Sequence, residues 1–79
     1  MTDPSRPLAC IPLRPSLRRY LAADHARRAE ERRNHAARAR TMAADMLDEW
    51  WRDTYLRTAT ESDTLAAHHE AAAVAWLAE

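Results

Sequence analysis

Four histidines, one cysteine and twelve arginines are the side chains of this sequence with the most chemistry to offer, and their spacing decides what kind. Two histidines on one helix hold a metal when they stand three or four residues apart on the same face. His25 and His35 are too far apart for that. His68 and His69 are adjacent, so on a helix they diverge by about 100°. Glu70 follows the pair, but the His-Glu-x-x-His pattern of zinc proteases is absent. Cys10 is the only cysteine, which rules out an intramolecular disulfide and fits a reducing compartment. The sequence has no glycine and therefore no glycine-rich phosphate loop. Ser5, Ser16 and Ser62 have no His/Asp constellation beside them. The expectation is a non-enzyme without metal or cofactor.

The arginines carry more information because they are segregated. Residues 1–40 hold ten of them (6, 14, 18, 19, 27, 28, 32, 33, 38 and 40) against four acids, a net of +6. Residues 41–79 hold Arg52 and Arg57 against eight acids, a net of −6. A formal net charge of zero thus hides a dipolar molecule, and such asymmetry speaks to partners rather than to fold. On a helix, Arg18, Arg19, Arg28, Arg32, Arg33 and Arg40 fall within one half of the wheel. They form the expected partner-binding face. Arg18 and Arg19 would also occupy a first turn, where the helix dipole prefers anions, so local helix stability does not explain them.

These side chains need helices to position them. The four prolines (4, 7, 12 and 15) lie in residues 1–15 and predict an extended arm, with Leu8, Ile11 and Leu13 able to lie on a helix surface. Residues 16–79 contain neither Gly nor Pro and predict a single helical domain. Ser16 would cap a helix running to about residue 57, and a second helix would span about 61–78. Thr58 with Glu61, or Thr60 with Asp63, would cap that second helix. The first helix would be about 63 Å long, so a break near Thr41, where the charge changes sign, is the alternative. The expected fold is all-α: an antiparallel helical hairpin preceded by a proline-containing arm.

Ala22, Ala26, Ala29, Arg33, Ala36, Arg40, Ala43, Leu47, Trp50 and Thr54 recur at alternating four- and three-residue steps, the spacing of a coiled-coil seam. Met42, Met46, Leu47, Trp50, Trp51 and Trp76 would form the core where the short second helix folds back. That helix would reach only about residues 39–57, leaving 17–38 without cover from their own chain.

The functional expectation follows from that uncovered basic segment. It is a small non-catalytic protein that binds another macromolecule through its Arg-rich helix, as an inhibitor, adaptor or regulator. The partner would be a protein with an acidic surface or a nucleoprotein complex. Compact accessory proteins of phages and mobile elements, which block host defence or nucleic-acid-handling complexes, are the associated class. The alternatives are a dimeric Arg-arm nucleic-acid binder and a self-assembling structural subunit. A homodimer fits as well, since two antiparallel long helices would lay each basic half along an acidic one. Nothing approaches the ~20 apolar residues of a membrane span, and no secretory leader is evident. A cytoplasmic location is expected.

Overall fold

The computed structural model describes residues 14–78. The arm expected over residues 1–15, with Cys10, Leu8, Ile11 and Leu13, lies outside the described residues except for Arg14 and Pro15. Two helices make up the described chain, α1 (Pro15–Asp45) and α2 (Glu49–Leu77), packed against each other as a hairpin. The all-α antiparallel hairpin is as the sequence implies. Its boundaries are not.

Pro15 opens α1 instead of ending an extended arm. Proline suits the first helical position because its missing N–H would have no intrahelical partner there. Arg14 is the N-cap, and its carbonyl accepts from the Arg18 N–H at 3.0 Å. Ser16, expected as the cap, lies inside the helix. No break occurs at Thr41, whose hydroxyl instead donates to the Ala37 carbonyl one turn back at 3.1 Å.

The first helix ends at Asp45, not near 57, and the chain reverses over residues 46–48. Met46 and Asp48 adopt extended backbone. The Met46 N–H still donates to the Ala43 carbonyl at 3.1 Å, and the Asp48 carboxylate accepts from the Trp51 N–H at 3.1 Å, capping α2. Glu49 adds a second negative charge in the first turn, where the helix dipole favours it.

The threonine-rich stretch expected to separate the helices is therefore interior to α2. Thr54, Thr58, Thr60 and Thr64 each donate a hydroxyl hydrogen bond to the carbonyl four residues earlier, at 2.8 to 3.1 Å. The hydroxyls are thereby satisfied within the helix, so these weak helix formers do not end it, although the back-bonding itself adds no helix stability.

With the turn at 46–48, α2 spans about 44 Å against about 46 Å for α1, so the two run side by side almost end to end. Residues 17–38 are covered by α2, and the expectation that they lack cover is wrong. Its cause is the misplaced turn, which made the returning helix too short. The charge argument survives in another form. Folding lays α1, with eight arginines against four acids, along α2, with five acids against two arginines, within one chain.

The seam is made of small residues. Ala22, Ala29, Ala36 and Ala43 are buried at seven-residue intervals on α1, with Ala39 beside them. Ala59, Ser62 and Ala66 are buried on α2. Ala36, Ala39 and Ala59 form the tightest cluster, with Tyr55 packed against it. A methyl at each seam position lets two backbones approach closely, but buries little apolar area. Among the described residues, no large side chain is fully buried. The expected core of Met42, Met46, Leu47, Trp50, Trp51 and Trp76 does not form. Leu47 is fully exposed at the turn, and Met42, Trp50 and Trp51 stand outside the seam. Met46 and Trp76 are half-buried, at opposite ends of the hairpin.

Candidate functional site: two flanks and a tip

The seam divides the hairpin surface into two long flanks. One is crossed by ion pairs between the helices, beside a groove of about 320 Å³ lined by Ala26, Ala29, Glu30, Arg33, Glu70 and Ala73. Arg33 extends two nitrogens to different α2 carboxylates, Nη1 to Asp63 at 3.1 Å and Nη2 to Glu70. Arg40 pairs with the other oxygen of Asp63. Asp63 thus sits between two guanidiniums, and the hydrogen bond from Arg40, helped by that from Arg33, holds its carboxyl below the usual aspartate range. Asp24 is lowered in the same way, by Arg27 first and then Arg28, on the outer surface of α1. Arg27 bridges Asp24 at 2.7 Å and Glu31 at 2.9 Å, while Arg28 Nε meets Asp24 at 2.9 Å.

The sign of the resulting pH dependence is fixed. A carboxylate whose folded pKa is depressed contributes stability above its unfolded value, near 3.9, and loses it as pH falls through the folded value. The thermal midpoint should be insensitive to these two groups above about pH 5 and should drop as pH falls below about 4. Asp63→Asn should lower the midpoint at neutral pH and flatten the acid limb, as circular dichroism melts at several pH values would show. The pairs are exposed, so added salt should weaken them.

At the seam itself, His25 Nδ1 and His69 Nδ1 lie 3.0 Å apart, with ring centroids 5.2 Å apart. One ring nitrogen must donate and the other accept, so the contact requires at least one neutral Nδ1. Nearer the open end, Arg18 Nε donates to the Trp76 carbonyl at 3.0 Å. Together with the ion pairs, these contacts fix the register of α2 on α1.

The six arginines expected to act together are therefore divided. Arg33 and Arg40 join the helices, Arg28 pairs along α1, and Arg18 engages the end of α2. Arg19 and Arg32 make no ion pair among the described residues, and neither does Arg38.

The second flank is open. A groove of about 200 Å³ is lined by His35, Arg38, Ala39 and Met42 of α1 and by Tyr55 and Thr58 of α2. Seven-residue steps from it place Leu21, Arg28, His35 and Met42 along one edge, and Trp51, Thr58, Leu65 and Ala72 along the other. Beside the groove, Glu31, Arg32, His35 and Arg38 line a polar depression of about 350 Å³. The tip adds Leu47 and Trp50, with the Trp50 and Trp51 rings edge to face at 4.8 Å. Trp50 is 65% and Trp51 51% exposed. These tryptophans, expected in the core, are surface residues. The signal that could have found them is the acid cluster Asp45, Asp48 and Glu49, which suits a helix start there.

Among the described residues, no group of three or more His, Cys, Asp or Glu side chains could hold a metal, and no helix is long and apolar enough to cross a membrane. The chain matches no protein-family model, no curated protein sequence and no solved structure.

Proposed function

We propose that this chain is a small non-catalytic helical protein that binds another macromolecule, acting as an inhibitor, adaptor or regulator. The observation that carries the reading is the placement of its large apolar side chains. The seam is alanine, whereas Leu47, Trp50 and Trp51 face solvent together at the hairpin tip. Exposed clusters of this kind mark interaction sites, and tryptophan is the residue most enriched among binding hot spots. Arg19 and Arg38 supply basic groups along α1 for an acidic protein or a nucleoprotein complex. The small size suits an accessory protein of the kind phages and mobile elements use to block host complexes, acting in the cytoplasm.

A second reading, an Arg-arm nucleic-acid binder, draws on the depression beside Arg32, His35 and Arg38. The depression holds two arginines, so binding there would neutralise about two phosphates and give a log–log salt slope no steeper than about −2.

The test pairs two measurements. Pull-down from the native host with the wild-type chain should recover a partner that Trp50→Ala/Trp51→Ala fails to retain, while binding to random duplex stays weak. Retention of the partner by the tryptophan variant would remove the tip from the proposal. Tight binding to random duplex with a salt slope near about −2, unchanged in the tryptophan variant, would favour nucleic acid instead.

A further inference from the structure

Among the described residues, the open flank is the side of the hairpin left without cover. The opposite flank joins α1 to α2 through Arg33, Arg40, Asp63 and Glu70. The open flank carries no interhelical ion pair among the described residues and instead displays Met42, Trp51 and Leu65, each more than 40% exposed. We infer that a second copy of this chain lies on this flank, with α1 of each copy against α2 of the other and both turns at the same end, so that two hairpins close a four-helix bundle.

Three observations select that occupant and that orientation. The first is area. Two helices about 44 Å long and about 10 Å wide each offer a face of roughly 900 Å², close to the ~800 Å² per partner of a standard interface. The second is the thinness of the seam. Among the described residues the buried ones are alanines and a serine. Chains of this size with so thin a core commonly need a partner to complete it, and large residues placed on one flank supply it.

The third is charge. On the open flank the unpaired groups of α1 are cations, Arg32 and Arg38, while α2 presents Glu61, which makes no ion pair among the described residues. Head-to-tail stacking about an axis across the helices would set α1 on α1 and oppose the arginines. A two-fold axis parallel to the helices sets α1 on the partner copy's α2 at equal height. Arg32 then meets Glu61 of the other copy, because these residues lie at the same level of the hairpin, and Met42 meets Trp51 in the same way. The contact is made twice, as two-fold symmetry requires. A net charge of zero leaves no overall repulsion to oppose association.

This arrangement also brings both tips together, so that the Leu47 and Trp50 side chains of two copies form one apolar surface. It does not depend on the identity of any foreign partner.

Charge reversal tests it by sedimentation equilibrium over a wide concentration range. The wild-type chain should be a dimer. Arg32→Glu or Glu61→Arg alone should weaken association by at least about tenfold, since each places like charges opposite one another twice. The double variant should restore most of the loss. Both residues are exposed and unpaired within the hairpin, so helical content should not change, and circular dichroism verifies this. A spin label at Leu47→Cys, in a Cys10→Ser background, should report inter-copy distances below about 30 Å, whereas hairpins stacked head to tail would give more than about 40 Å.

A chain that stays monomeric at all concentrations would overturn the proposal and leave the flank to residues 1–13 or a foreign protein. So would single reversals without effect, or a double variant that is not rescued. Loss of the foreign partner in a Trp50→Ala variant, which spares the flank residue Trp51, with the dimer intact, would leave this inference standing on its own.

Discussion

Thr60→Pro unfolds the hairpin. In α2 this residue is exposed and twelve residues from the nearer capped end, Asp48, and its hydroxyl bonds the Leu56 carbonyl. Proline there removes a backbone donor and drives its ring into that same carbonyl, at a cost of about 3 kcal/mol or more. A hairpin held by an alanine seam has little stability to lose, so the helical circular dichroism signal should fall sharply at 25 °C. Were residues 58–61 a connection between helices, the same substitution would be tolerated or even helpful. Two glycines inserted after Leu47, in the true turn, supply the contrast, since lengthening an exposed loop costs well under about 1 kcal/mol. Equal effects from the two changes would show that the turn is misplaced.

Ala36→Leu lowers stability for a different reason. Ala36 and Ala59 are fully buried and belong to one cluster with Ala39, under Tyr55. Three added carbons have no void to enter, and the helices must move apart along the seam. Overpacking of this kind costs about 1–3 kcal/mol, and each kcal/mol shifts the midpoint of a chain this size by about 4–8 °C. Ala37→Leu, one position along on the exposed face, should stay within about 0.5 kcal/mol of wild type. Melts should be compared at one protein concentration, because self-association raises the midpoint by mass action. A stabilising Ala36→Leu would mean that the close alanine contact does not exist.

The helical content, the antiparallel return and half of the seam were legible in the residues. The seven-residue alanine repeat at 22, 29, 36 and 43 is read correctly because a methyl is small enough to identify a close contact without knowing what opposes it. Of the other six positions of the expected seam, Ala26, Arg33 and Arg40 sit one step around α1, where Arg33 and Arg40 border the interface and bind α2 carboxylates, and Leu47, Trp50 and Thr54 lie past its end, in the turn and on α2. The choice between those two positions depends on the opposing helix, which a local pattern does not contain.

The turn was misread for a physical reason. It uses no glycine and no proline, and its stop signal is an aspartate cap inside an acid-rich stretch. The threonines at 58, 60 and 64, which resemble a break, satisfy their hydroxyls on the helix they belong to. That single displacement moved the tryptophans from core to surface and the basic helix from bare to covered. Of the expected binding face, the division into paired and unpaired arginines depends on where Asp63 and Glu70 fall in three dimensions, and residue type alone carries no trace of it.

Cysteine cross-linking decides whether one chain folds as described. His25 and His69 approach each other across the seam, so His25→Cys/His69→Cys in a Cys10→Ser background should oxidise to a disulfide within a single chain. On a denaturing, non-reducing gel the product should run as a compact monomer at every protein concentration. A disulfide that forms only between chains, as an antiparallel pair of helices running from 16 to 57 would give, or none at all, would contradict the hairpin and every surface assigned to it.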